Sequence, residues 1–440
     1  MNILFISLGC DKNRVDTEYM IGSLTEANFQ LTAQEEMADI IVVNTCCFID
    51  DAKEESIQQI LEVAEYRIKG RCKALIVAGC MAERYKSEIL KEIPEVDACI
   101  GTGSTDKILE AVTSVLEGKK YEAYTKSQEQ LHIDTKRVIS TGGHYAHLKI
   151  AEGCDKNCTY CIIPKLRGHY RSVPMEELLT AANHLVAQGV KELILVAQET
   201  TLYGIDLYHK KALPELLDQL NQIPDLMWIR LMYCYPEEID QPLLDAIKRN
   251  HKVCHYLDMP IQHGNSDILK RMGRRTNHTE LSEKINMIRR TLPDVALRTT
   301  LICGFPGETQ KQHEDMMYFI NEHEFDRLGA FAYSKEEDTP AASFDEQIED
   351  SLKQDWVAEA MELQEKIISD KNQDMIGSEM MVMIEGKVAD ENAYIARSYR
   401  DAPDIDGYVF IHTTRQLVTG DFVEVKITGA YEYDLIGEVL

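Results

Sequence analysis

Short apolar runs alternate with stretches of helical periodicity along the first three quarters of this 440-residue chain, and that alternation restricts its fold more than any other feature. Residues 2–8, 40–44, 74–78 and 98–100 are such runs, and segments of helical pattern at 16–27 and 51–69 lie among them. Strands alternating with helices specify a parallel sheet covered by helices. The alternation resumes from 145 to 335, with strand candidates at 147–151, 192–197, 228–234, 254–259, 296–302 and 327–333 and helices such as 175–188 and 279–291. Six β/α units in succession specify a full or partial (β/α) barrel.

Residues 121–144 are polar and read as a linker with weak strand content. Residues 344–372 contain neither Gly nor Pro and read as one long amphipathic helix. The final stretch changes character. Short β-type runs at 380–384, 394–396, 408–412 and 422–427, with a weaker one at 431–439, are punctuated by glycines. This pattern specifies a small all-β, OB-like barrel. The fold class is therefore α/β, in three parts: an N-terminal parallel α/β domain (1–120), a central barrel (145–373) and a β-barrel module (375–440), with the linker at 121–144.

The formal net charge of −27 disfavours a generic nucleic-acid coat, because so negative a chain repels phosphate. No run of about 18 apolar residues is present, so no membrane span is expected. The first ten residues lack a basic n-region, so a secretory signal is not expected and the chain is placed in the cytoplasm. Twelve cysteines are too few for a disulfide scaffold, and in a reducing compartment clustered cysteines point to metal binding or catalysis.

Two constellations of cysteine stand out. Cys154, Cys158 and Cys161 form a C-x3-C-x2-C array just after the first barrel strand, where barrel active sites form. Thiolates at this spacing can wrap one iron–sulfur cube, and three of them leave one iron open. The alternative is a zinc loop, although zinc loops usually pair C-x2-C elements. Cys10, Cys46 and Cys80 each lie just past the C-terminal end of an N-terminal strand, and those ends converge on one rim of an open α/β sheet. Gly9 and Gly79 beside them would let the backbone approach a bulky ligand. The alternative is three buried small hydrophobes. Cys47, Cys72 and Cys99, with Cys234, Cys254 and Cys303, read as structural.

The segment from Lys149 to Pro164 resembles the radical S-adenosylmethionine (SAM) superfamily. That resemblance implies a 4Fe-4S cluster on Cys154, Cys158 and Cys161, SAM on its open iron, and Tyr160 against the adenine. The segment Gly9-Cys10-Asp-Lys-Asn13-Arg-Val-Asp16, with Asn44-Thr-Cys46 and Ala78-Gly-Cys80, is similar to the N-terminal domain of the methylthiotransferases. The resemblance covers essentially the whole chain and implies a second 4Fe-4S cluster on Cys10, Cys46 and Cys80, together with a C-terminal TRAM module. Segments following barrel strands also resemble the family: Gln198-Glu199, Gln262-His263, Gly304 to Thr309, and Phe331 to Thr339. They imply SAM or substrate contacts from Gln198, Glu199, Gln262, His263 and Gly304. Asp338 stands where relatives are expected to carry glycine, and Asp11 where one branch commonly carries Pro.

The family divides between adenosine in transfer RNA and an aspartate of ribosomal small-subunit protein twelve. Residues 375–440 carry five basic and twelve acidic side chains, a net charge of −7. A module gripping RNA should be basic, whereas an acidic one suits a basic protein. The alternative is that the acidity serves solubility alone. Residues 396–407, running from Ala396-Arg397-Ser398-Tyr399-Arg400-Asp401 to Gly407, resemble the ribosomal-protein branch. The resemblance thus implies methylthiolation of the aspartate β-carbon, with one SAM as methyl donor and one as source of a 5′-deoxyadenosyl radical. An electron-donor protein is implied, and sequence-specific nucleic-acid binding is not expected. The rival readings are the transfer-RNA enzyme and a non-catalytic iron–sulfur carrier.

Overall fold

The structure, a computed structural model, describes residues 1–124, 131, 133, 136–389 and 392–440. Much of the segment read as a linker therefore lies outside the described residues. The chain forms two compact units. One comprises Met1–Ser140, Ala151–Glu177 and Ser334–Ala342, and the other Thr141–Ile150, Leu178–Tyr333 and Ser343–Leu440.

The first unit is built on a six-stranded parallel sheet. Its order is Gln30–Leu31, Asn2–Ser7, Ile40–Thr45, Ala74–Gly79, Ala98–Ile100 and Tyr121–Ala123. The strands Ile40–Thr45 and Ala74–Gly79 are buried along their whole length. Alternate residues serve two cores: Ile41, Val43, Leu75 and Val77 lie in one, and Ile40, Val42, Ala74 and Ile76 in the other. Each such side chain contributes about 1.5–3 kcal/mol by leaving water. Burial on both faces explains why these runs are continuously apolar rather than alternating.

Two edge strands escape the sequence reading. Gln30–Leu31 is two exposed residues, and Tyr121–Ala123 opens the stretch read as linker. The helix expected at 16–27 runs from Asp11 to Glu26, with Cys10 as its N-cap. Asp11 thus sits at the first helical position, where a carboxylate favours the helix dipole and proline is equally tolerated. That accounts for the departure at position 11.

The second unit holds six parallel strands in strictly sequential order: Tyr145–Lys149, Glu192–Val196, Trp228–Leu231, Val253–Asp258, Ala296–Cys303 and Arg327–Ala332. The first and last strands do not pair, so the barrel is partial. The long helix begins at Asp350, not at 344, and ends at Asp374. The preceding residues are committed elsewhere. Glu346 O accepts from Gly307 N at 2.7 Å, and Phe344 meets the Phe305 ring edge-on. Trp356 of that helix stacks on His313 at 4.8 Å.

The C-terminal strands Glu379–Lys387, Ala393–Ser398, Val409–His412, Phe422–Tyr431 and Asp434–Val439 close into a barrel. Closure leaves no free edge. This barrel shares a core with the open sheet: Met383 and Ala402 are buried with Tyr145, Ile194, Trp228, Tyr256 and Ala296. The polar groups there are paired. Glu192 accepts from Arg230 and Arg397 at 2.7 Å each, Asp326 from Arg400 at 2.7 Å, and Asp401 from Arg327.

Candidate functional site

The registers of the first sheet bring the N-terminal cysteines together. Ser7, Asn44 and Ala78 are level on three adjacent strands, as are Thr45 and Gly79. Cys46 and Cys80 therefore leave their strands at one height. Cys10 lies three residues beyond its strand, after Gly9, which adopts φ +82°. A Cβ on Gly9 would sit 2.6 Å from Cys46 Cβ and 2.8 Å from its Sγ. A Cβ on Gly79 would meet Asn44 Oδ1 at 2.2 Å. These glycines thus answer to the neighbouring strand; the sequence reading had assigned them to a ligand's approach.

Burial pushes the thiols of Cys46 and Cys80 up, and charge on Cys10 raises both further. Charge on Cys46 also raises Cys80. The three sulfurs are therefore close enough that ionising one raises the cost of ionising the next, a burden that a cationic metal centre removes. Cys47 lies in an apolar core with Cys72, Cys80 and Cys99, and its charge also raises Cys80. Burial pushes Cys47 and Cys99 up to about 12.

The C-x3-C-x2-C loop belongs to the same unit. Cys154 N donates to Gly168 O at 3.1 Å and Cys161 N to Cys158 O at 3.1 Å, which curls the loop. Burial pushes Cys161 up, and Cys158 and Cys154 add to it. The short helix Ile163–Arg167 follows, with Ile162 and Leu166 buried in the core that contains Cys80 and Met81. Tyr160 lies in this loop and is half-buried.

Among the described residues no three His, Cys, Asp or Glu side chains close on a single ion. A cube takes each thiolate on a different iron, so its ligands need not share one point. Two all-thiol sets, buried at Cys46, Cys80, Cys154 and Cys158 and half-buried at Cys10 and Cys161, suit iron–sulfur clusters by the softness of their donors, and the residues present fit that group.

The remaining candidates lie in the second unit. Gln198 is half-buried, and Glu199 is fully buried, with Oε1 accepting from Thr201 N at 3.0 Å. Gln262 adopts φ +73°, and its main chain bridges the strand Ala296–Cys303 through Thr300 O and Ile302 N. Such a conformation is costly for a residue with a Cβ and clusters at functional sites. Glu308 gathers the next loop: Oε2 accepts from Gly304 N at 2.7 Å and Phe305 N at 3.0 Å, and Oε1 meets His263 Nε2 at 3.1 Å. His263 Nδ1 accepts from Asn265 N at 2.9 Å. Both ring nitrogens are thus engaged, so His263 organises the loop. Thr309, the end of the same motif, forms a capping box with Gln312 on the helix Gln310–His323.

Three family models match successive parts of the chain. Uncharacterized protein family UPF0004 covers residues 2–101, the radical SAM superfamily 148–320 and the TRAM domain 376–440. The chain is 57% identical to the ribosomal protein uS12 methylthiotransferase RimO of Lachnoclostridium phytofermentans, over 99% of both chains. It is 46% identical to the same-named protein of Thermoanaerobacter sp., again over 99% of each, and 44% identical to that of Clostridium kluyveri, over 100% of this chain and 98% of the relative. The chain belongs to the RimO family of methylthiotransferases.

Two solved structures share the RimO-family chain's fold at low identity. The radical SAM methyltransferase TsrM of Kitasatospora setae matches with a TM-score of 0.56 at 12% identity, over 77% of this chain and 73% of its own. The cobalamin-dependent enzyme OxsB matches at 0.51 and 11%, over 83% and 56%.

In this RimO-family chain, sequence reasoning missed three residues that build the site: Asn13, Arg167 and Glu308. Arg167 Nη1 donates to Asp16 Oδ2 and Glu152 Oε2, at 2.9 Å each, while Nη2 reaches Asn13 Oδ1 and lies 3.6 Å from Cys80 Sγ. The available signal was polar Asn13 and Asp16 on the same helix face as the core residues Met20 and Leu24. Asp338, where relatives were expected to carry glycine, adopts φ +66°, the conformation glycine reaches without strain.

Proposed function

We propose that this chain methylthiolates the β-carbon of an aspartate in ribosomal small-subunit protein twelve, uS12. The observation that carries the reading is the presence of two all-thiol sets in one compact unit, in a chain whose full-length relatives bear that name. Cys154, Cys158 and Cys161 would hold one 4Fe-4S cluster, and Cys10, Cys46 and Cys80 the other. With both clusters and SAM bound, the cofactors supply an adenosyl radical and a transferable methylthio group.

The protein's own part is to hold and exclude. In the second unit Gln198, Glu199, Gln262, His263 and Gly304 are the proposed SAM contacts, with Glu308 fixing the Gly304 amide and Gln262 held by its main chain. In the first unit Tyr160 is the proposed adenine contact. A radical requires that water and stray hydrogen donors be kept out.

The acidic C-terminal barrel would meet the basic substrate, although part of its acidity is internal. Asp401 and Glu385 are spent on Arg327 and Arg397. Among the described residues, Glu379, Asp404, Glu424, Glu432 and Glu438 are exposed, against Lys387, Arg415 and Lys426. That modest excess sets the salt dependence of encounter more than affinity. The setting would be the cytoplasm, with an electron-donor protein. Among the described residues no helix is long and apolar enough to cross a membrane.

The test compares two triple variants after anaerobic reconstitution. Ala at Cys154, Cys158 and Cys161 should abolish SAM cleavage. Ala at Cys10, Cys46 and Cys80 should spare cleavage and abolish sulfur insertion. Cleavage in the first variant, or insertion in the second, would overturn the assignment.

A further inference from the structure

We propose that Arg167 is a positioning residue for the auxiliary cluster, presenting a fixed positive charge to the Cys80 sulfur and thereby raising that cluster's reduction potential. The inference rests on the assignment of that cluster to Cys10, Cys46 and Cys80.

The geometry starts from Asn13. Its Nδ2 donates to Leu8 O at 3.0 Å and Thr45 O at 2.9 Å, the carbonyls where two cysteine-bearing strands end. Both amide hydrogens are used, so the carbonyl oxygen must face the other way. There it accepts from Arg167 Nη2 and stands 3.9 Å from Cys80 Sγ. Asn44 Nδ2 holds Asn13 O at 2.8 Å and so secures the same turn.

Arg167 is equally constrained. Thr102 Oγ1 donates to Leu166 O at 2.6 Å, and Ile162 and Leu166 anchor the short helix in the core beside Cys80. The guanidinium is buried with Asp16 and Glu152, whose side chains are 5% and 6% exposed. Their two carboxylates fix the Nη1 end of the fork. The Nη2 end is left for a neutral amide oxygen and a ligand sulfur.

A positive charge and a hydrogen bond at a ligand sulfur favour the more reduced, more negative cluster. Arg167 follows Cys161 by six residues, so the loop carrying one thiol set supplies the charge that tunes the other. Lysine keeps the charge but not the planar fork.

The experiment uses the full chain with Cys154, Cys158 and Cys161 changed to Ala, reconstituted anaerobically so that auxiliary iron alone remains. Iron and sulfide are counted, and the midpoint potential is measured by a spectroscopically monitored redox titration. Arg167→Met should shift the potential negative, and Arg167→Lys should recover part of the shift. Asp16→Asn, which removes a countercharge, should shift it positive. Clusters that form in Arg167→Met with the parent potential would show a purely structural role and overturn the proposal. If Arg167→Met does not fold, Asp16→Asn decides: a positive shift supports the proposal, and no shift or a negative one overturns it. Absence of iron in the parent would remove the auxiliary-cluster assignment, and the inference with it.

Discussion

Arg397 Nη2 lies 2.7 Å from Glu192 Oε2, and both side chains are fully buried. Arg397 belongs to the C-terminal barrel, and Glu192 opens a strand of the parallel sheet. Arg230 holds the other Glu192 oxygen at 2.7 Å, so one carboxylate ties two elements of the second unit together. Replacing Arg397 by Met leaves this charge short of a partner, and breaking such a buried pair costs about 3–5 kcal/mol. Urea unfolding of the intact chain should show the loss in the transition that reports the second unit.

The same pair gives a pH dependence. Burial opposes ionisation of Glu192, yet Arg397 and Arg230 hold it at about 2, below the ordinary 4.5. The folded value is depressed, so the stability it contributes is fully present above 4.5 and is lost as pH falls towards 2. Glu192→Gln should flatten that part of the acid limb in a stability–pH profile.

Gly9→Ala places a Cβ against Cys46 at a backbone conformation that costs a side-chain-bearing residue about 1–3 kcal/mol. The variant should reconstitute with iron reduced towards one cluster while still cleaving SAM. Iron analysis and deoxyadenosine release read the two effects separately.

Cys46 and Cys47 are adjacent, and only Cys46 belongs to the proposed ligand set. Cys47→Ala should keep the full iron complement and cost about 1–2 kcal/mol for the small cavity. Cys46→Ala should lose the auxiliary iron at little cost in stability. Equal iron loss in the two variants would contradict the assignment.

Much of this was legible in the sequence because parallel strands buried on both faces leave continuous apolar runs, and cysteines at strand ends mark a rim. The short edges Gln30–Leu31 and Tyr121–Ala123 left no such trace, since an edge pairs through its backbone and buries little. The segment 396–407 resembles the ribosomal-protein branch, as the relatives do, and its Arg397, Arg400 and Asp401 are paired inside the second unit. Composition counts charges without showing which are paired, so the −7 of the last module overstates its surface acidity. Arg167 carries no such mark in the sequence, because its partners Asn13, Asp16 and Cys80 are distant along the chain.

The central claim is tested most directly by mass spectrometry of uS12 after incubation with the reconstituted chain, SAM, a sulfur source and a reductant. The account predicts one methylthio group on the β-carbon of a single aspartate, with transfer RNA unchanged in a parallel incubation. An unmodified uS12 alongside methylthiolated adenosine in the transfer RNA would contradict it.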